Sequence, residues 1–141
     1  MILKTIIILI LEVPMRKYSK QRELILNYLK NSNGHPTAEQ IFADLKPDNP
    51  GLSLSTVYRN LNLLAEYGVI RKLSIGKSGE RFDAITHDHN HFFCTCCNKV
   101  KDVYMALLNH DALAEAMGGG CTINQHQLYL YGVCGDCQKA Q

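Results

Sequence analysis

The sequence predicts an α+β protein in two parts, a three-helix module closed by a β-hairpin and then a small α/β module pinned by a four-cysteine metal site. Three observations carry that reading. Apolar residues recur at helical spacing from residue 20 to residue 64 and change to strand alternation between residues 69 and 85. Two Cys-x-x-Cys pairs, Cys94/Cys97 and Cys134/Cys137, follow in a chain of 141 residues. Residues 15–81 carry eleven Lys/Arg against six Asp/Glu and residues 82–141 three against six, so the formal net charge of +2 hides a basic part beside an acidic one. The expected division is 15–84 for the first module and 85–141 for the second.

The elements follow in order. Leu24, Ile25, Tyr28 and Leu29 form one stripe of an amphipathic helix over residues 20–31. His35-Pro36 then forces an extended residue, and Thr37-Ala38-Glu39-Gln40 is a capping box that opens a second helix carrying Ile41, Phe42 and Leu45. Residues 46–51 are dense in breakers and read as a loop. After them Ser53 or Ser55 caps a third helix through Leu54, Val57, Leu61 and Leu64, stopped by Gly68. Residues 69–75 and 80–85 alternate and are joined by Gly76-Lys77-Ser78-Gly79, a hairpin with a glycine-rich tip. The second module reads strand (89–94), knuckle, strand (99–103), helix (105–117, with Leu107, Leu108, Leu113, Ala114 and Met117), a glycine stop at 118–120, strand (128–133) and knuckle.

Three short helices closed by a hairpin with basic residues describe a winged helix, whose third helix enters the DNA major groove. On that helix Ser55, Thr56, Tyr58, Arg59 and Asn62 are the polar residues able to face outward. Arg59 suits a guanine edge or a phosphate, and Tyr58 suits a phosphate. A plain solvated face is the alternative, but it would leave the basic hairpin without a use. The second module is too small to cover both faces of its own sheet. Pairing with a second copy is the economical solution, and a two-fold dimer would present two reading helices to palindromic operator DNA.

Four thiolates from two such knuckles are the ligand set of a closed tetrahedral zinc site, a staple worth several kcal/mol to a module of about 60 residues. Disulfides would leave Cys96 and Cys121 over in a chain with no convincing export signal. Histidines at 87, 89 and 91 alternate, so His89 and His91 on one strand face can reach one ion together. Imidazole mixed with carboxylate suits Fe(II), Mn(II), Zn(II) or Ni(II).

Residues 1–14 do not fit the rest. The apolar run from Thr5 to Leu11 is interrupted by Lys4 and Glu12 and is too short to cross a bilayer, and no small-residue cleavage site follows. The expectation is a non-structural extension or an upstream start, with the folded part beginning near Met15, a cytoplasmic location and no membrane partner. Ile6 to Ile10 is β-prone and an aggregation hazard if exposed.

His35-Pro36-Thr37-Ala38, the run from Ser55 to Leu61, Arg81-Phe82-Asp83, His89-Asn90-His91 before Cys94, and Tyr131-Gly132-Val133-Cys134 together resemble the ferric-uptake-regulator (Fur) family of metal-dependent bacterial repressors over about residues 18–138. Within it the chain is most similar to the peroxide-responsive branch. The resemblance implies that Cys94, Cys97, Cys134 and Cys137 hold structural Zn(II), and that His35, Asp83, His89, His91 and Asp102 hold a regulatory Fe(II) or Mn(II). Iron-sensing members usually have glutamate where this chain has Asp102. They also tend to carry a further site, of which His126 remains here while Asn109 stands at the usual glutamate position, so that site is not expected. Members of the branch commonly begin with an extra helix, for which only Met15 to Ser19 are available.

The resemblance further implies a corepressor role for the metal: an ion bound by both modules favours the one orientation that spaces the reading helices. It implies that hydrogen peroxide is the signal, that Fe(II) reduces it while Mn(II) does not, and that His35 and His89 each gain one oxygen. Such a protein is consumed and is no enzyme. An iron- or zinc-responsive uptake regulator is the alternative inside the family. Outside it, a zinc deaminase would need His-x-Glu and Pro-Cys-x-x-Cys, which are absent, and an electron carrier with iron on four cysteines would leave the His/Asp set unexplained.

Overall fold

The computed structural model describes residues 19–77, 79–104 and 108–140. The expectations for residues 1–14, for Met15 to Tyr18 and for Leu107 lie outside the described residues. Helix α1 (Lys20–Asn31) starts at Ser19, whose hydroxyl accepts the Arg22 N–H, and buries Ile25 and Leu29. Helix α2 (Ala38–Leu45) starts at the expected capping box, with Gln40 N–H on Thr37 Oγ1 and Thr37 N–H on Gln40 Oε1. Helix α3 (Leu54–Glu66) is capped by Ser53, the first of the two serines the sequence leaves open. Gly68 follows with a φ of 69°, a left-handed position that suits glycine.

Strands β1 (Arg71–Leu73) and β2 (Arg81–Asp83) pair antiparallel, with Leu73 opposite Arg81. They are shorter than the alternating segments, because Ile70 and Ile75 serve as core residues beyond the ladder. Ile25, Leu29, Ile41, Leu52, Val57, Leu61, Leu64, Ile70 and Phe82 make one core, each contributing about 1.5–3 kcal/mol by burial. All three residues of β2 are buried. Phe82 faces the helices, whereas Arg81 and Asp83 share the opposite face and meet the second half of the chain.

The second half is a three-stranded sheet in the order β4-β3-β5, with β3 at Asn90–Cys94, β4 at Val100–Val103 and β5 at Tyr129–Gly132. β3 pairs antiparallel with β4 and parallel with β5, and the parallel step uses the long connection that contains helix α4 (His110–Ala116). Helix α4 begins five residues later than the sequence suggests. Asn109 is its cap, accepting N–H groups of Asp111 and Ala112, so Leu108 precedes the helix. Gly118, Gly119 and Gly120 end it, all with positive φ. A short helix, α5 (Gly135–Lys139), continues from the second knuckle, where the sequence predicts no element.

A second core joins Leu73 and Ile75 of the hairpin to Phe93 of β3, with Val100 and Tyr129 against them. The hairpin therefore packs on both halves. Gly76 sits at that junction with a φ of 79°, where a Cβ would stand 2.4 Å from the Phe93 ring. Tyr104, Leu108, Leu113, Met117, Leu130 and Tyr131 are exposed, and α4 buries no residue. No helix among the described residues is long and apolar enough to cross a membrane.

Candidate metal centres

Cys94 closes β3, Cys97 lies in the turn that follows, and Cys134 caps the helix that carries Cys137. Asn98 completes the first knuckle with a left-handed φ of 59°. The four Sγ atoms lie within 4.8 Å of one another, with Cys94 to Cys137 at 3.9 Å and Cys97 to Cys134 at 3.8 Å. Sulfurs placed about 2.3 Å from a tetrahedral zinc would be about 3.8 Å apart. A disulfide would need about 2.05 Å, and all six cysteines are free thiols. The Cys134 and Cys97 N–H groups pull the Cys94 thiol down to about 6, while its contacts with Cys134, Cys96 and Cys97 push Cys137 up. One thiolate is thus favoured at its neighbours' expense, a conflict that a bound divalent cation removes. Cys96 and Cys121 are exposed and outside the group.

The second centre draws on both halves. His35 comes from the turn before α2, Asp83 from the end of β2, and His89 from the residue before β3; His91 faces Asp102 across the β3–β4 ladder. All five offer one ligand atom within 4.8 Å of the others. Nε2 of His35, His89 and His91 stands 3.4, 2.9 and 3.3 Å from Asp83 Oδ2, and 2.8, 3.3 and 3.5 Å from Asp102 Oδ1. Adjacent ligands of an octahedral ion with bonds of about 2.1 Å are about 3.0 Å apart. Asp102 Oδ1 is buried with no hydrogen-bond partner, although three imidazole nitrogens surround it. Three imidazole nitrogens and two carboxylate oxygens that converge on one point fit a cation. The imidazoles favour a first-row transition ion over calcium or magnesium.

Other groups orient the ligands. His89 Nδ1 lies 2.8 Å from the His87 carbonyl, which turns Nε2 inward, and Asp83 Oδ1 accepts the Ile85 N–H at 2.8 Å, which leaves Oδ2 for the centre. His87 itself is exposed and lies outside the ligand group; it offers its carbonyl to His89 and stacks its ring on Tyr104 at 6.2 Å. Tyr104 donates its hydroxyl to Asp102 Oδ2 at 3.3 Å and stacks on the His89 ring at 5.6 Å. Sequence reasoning missed Tyr104, which lies just past the end of β4 and two residues from Asp102. Burial alone would raise the Asp83 carboxyl, but hydrogen bonds from His35 and His91 outweigh it and hold it well below the usual range. Burial likewise opposes protonation of His35, and the Asp83 and Asp102 carboxylates reverse that and raise it.

The predicted reading helix presents Ser55, Arg59 and Asn62 as exposed and Thr56 and Tyr58 as half-buried. Tyr58 donates its hydroxyl to Glu39, Thr56 Oγ1 lies 2.8 Å from Ser53 Oγ, and Asn62 Oδ1 accepts from Lys72 Nζ at 3.2 Å. Lys72 also pairs with Glu80 at 2.8 Å, so the charge on this hairpin strand is partly compensated. His126, read as the remnant of a further site, faces His110 at 2.7 Å.

The sequence profile of the ferric uptake regulator family matches residues 15–131. The chain belongs to that family. The peroxide-responsive repressor PerR of Staphylococcus aureus is 39% identical over 123 residues, which are 86% of this chain and 82% of that one. Among solved structures, the Helicobacter pylori ferric uptake regulator Fur, described as having three functional metal binding sites, aligns with a TM-score of 0.75 at 28% identity over 86% of this chain and 82% of its own. The Campylobacter jejuni peroxide stress regulator aligns with a TM-score of 0.68 at 27% identity over 83% and 88%. The family fold and this chain agree in the α+β architecture, with an N-terminal winged helix ahead of a small α/β part that carries the four-cysteine group. Membership makes the chain a metal-responsive regulator.

Proposed function

We propose that this chain is a peroxide-sensing transcriptional repressor of the bacterial cytoplasm that binds palindromic operator DNA as a homodimer when its His/Asp centre is loaded. Cys94, Cys97, Cys134 and Cys137 hold Zn(II) as a structural ion. His35, Asp83, His89, His91 and Asp102 hold Fe(II) or Mn(II). One observation carries the reading: five buried or half-buried ligand atoms from both sides of the junction between the halves converge to within 4.8 Å. An ion bound there stabilises one relative placement of the reading helix and the dimer-forming half over all others, and its differential affinity sets the shift in population. Ser55, Thr56, Tyr58, Arg59 and Asn62 then meet the DNA. The exposed apolar residues of α4 and β5 supply the dimer contact.

The similarity to the S. aureus repressor supports the peroxide branch. Asp102 in place of the longer glutamate supports it too. His35, Asp83, His89, His91 and Asp102 would hold Fe(II), and that ion would supply the reducing chemistry toward hydrogen peroxide. His35 and His89 would be the residues modified: for each, one peroxide would lose its O–O bond, place one oxygen on an imidazole carbon between that carbon and its hydrogen, and release the other as water, and their loss as ligands would release the two halves. The chain turns over no substrate.

The test is the Fe(II)-loaded protein with low hydrogen peroxide. Operator binding is lost in step with a one-oxygen mass gain on peptides containing His35 or His89, and the Mn(II) form is spared. Oxidised cysteines with both histidines intact would instead favour an iron- or zinc-responsive uptake regulator. That second reading has its own support, since the H. pylori iron regulator shares the fold with a higher TM-score than the C. jejuni peroxide regulator. An Asp102→Glu variant retains metal-dependent DNA binding and responds less to peroxide.

A further inference from the structure

β2 connects the halves through more than the ligand it carries. Its Phe82 faces the three-helix core, and Arg81 and Asp83 face the other way. Arg81 is 7% exposed and sends Nη1 to the His35 carbonyl and Nη2 to the Asn98 carbonyl, both at 3.0 Å. The first carbonyl belongs to a ligand of the His/Asp centre that comes from the helical half. The second belongs to the residue after Cys97, in the knuckle of the four-cysteine group. A cleft of about 700 Å3, lined by His35, Pro36, Asp44, Asn98 and Lys101, runs beside this guanidinium. Charged donors make strong hydrogen bonds to carbonyls, and a planar guanidinium offers a separate nitrogen in fixed geometry to each of two divergent acceptors.

We propose that Arg81 is a metal-independent pin that holds the two halves close to the placement in which the five ligands meet. The inference rests on the proposed role of the His/Asp cluster as the regulatory centre. Its consequence is preorganisation: apparent metal affinity is the intrinsic affinity multiplied by the fraction of molecules already in the competent placement. Because coupling is reciprocal, a displaced Cys97–Asn98 knuckle would weaken metal binding at His35 through the same guanidinium. A second crossing, Arg71 Nη1 to the His87 carbonyl at 3.3 Å, is exposed and serves as the comparison.

The experiment uses the full chain with its zinc in place and compares Arg81→Met, Arg81→Lys and Arg71→Met with the unmodified protein. Mn(II) titration, zinc content and small-angle scattering of the metal-free and Mn(II)-saturated forms are measured. Both Arg81 variants keep one zinc per chain and bind Mn(II) about tenfold or more weakly. In the metal-free state they are more expanded than the unmodified protein, and on saturation they match it. Arg71→Met changes Mn(II) affinity by no more than about twofold. Arg81→Lys keeps charge and most of the stem, so it supplies the comparison if Arg81→Met does not fold. Unchanged metal-free dimensions, unchanged Mn(II) affinity, or zinc loss in both variants would each overturn the proposal. If unmodified protein and His89→Ala bind Mn(II) alike, the regulatory reading of the cluster fails, while the metal-free scattering still decides whether Arg81 pins the halves.

Discussion

Gly76→Ala tests the junction between the hairpin and the second sheet, on which the placement of the three-helix module depends. Two costs add at this position. The φ of 79° lies in the left-handed region, where a Cβ costs about 1–2 kcal/mol. The new Cβ would also sit 2.4 Å from Phe93 Cε2 and 2.6 Å from Cζ, a displacement of a packed aromatic that costs about 1–3 kcal/mol. Gly79 offers an internal control, because its φ is 91° but nothing lies within 4 Å of its Cβ. Gly79→Ala should therefore lose only the conformational part. Denaturant unfolding of both variants should show Gly76→Ala less stable than Gly79→Ala by about 1–3 kcal/mol. The difference should shrink when Phe93→Leu is added, as coupled neighbours require. Equal losses at Gly76 and Gly79 would mean that the hairpin tip does not rest on Phe93.

Further outcomes follow from the same contacts. Cys134→Ser should lose zinc and dimer together, whereas Cys96→Ser should retain about one zinc per chain by elemental analysis; the reverse pattern would contradict the four-cysteine assignment. Arg59→Ala should weaken operator binding by about 1–3 kcal/mol and relax sequence preference if the contact is bidentate to guanine, read by binding assays on matched and mismatched sites. Metal-free stability should have two limits. The lowered Asp83 contributes above its unfolded value of about 3.9 and is lost as pH falls through its folded value, and the raised His35 contributes fully below about 6.5 and is lost as pH rises through its folded value. Because His35 must shed that proton to bind a cation, Mn(II) affinity should go on rising with pH above about 6.5, and a titration flat from about 6.5 to 8.5 would count against this.

Local signals were legible where local chemistry decides the outcome. The helical stripes, the Thr37 capping box, the Gly68 stop and the two cysteine knuckles follow from backbone sterics, capping geometry and ligand spacing, all of which act within a few residues. Where two local solutions compete, the sequence left the choice open, as at Ser53 and Ser55, or misplaced it, as at α4, which begins only after Asn109 satisfies its first N–H groups. The centre itself was legible only in part. Alternation put His89 and His91 on one face, but bringing His35 to Asp83 is a long-range event, and the resemblance to a family singled out those two residues where periodicity could not.

By itself the sequence determined the fold class, the order of the elements as far as the second knuckle and the four-cysteine group, because each is set by period, caps or spacing. Only the tertiary structure decided that Phe93 seats against Gly76, that Tyr104 covers His89, and that Arg81 bonds carbonyls 46 residues behind it and 17 ahead. Those contacts arise when two cores pack and buried polar groups must find partners, a condition imposed by the whole fold and written in no short stretch of the chain.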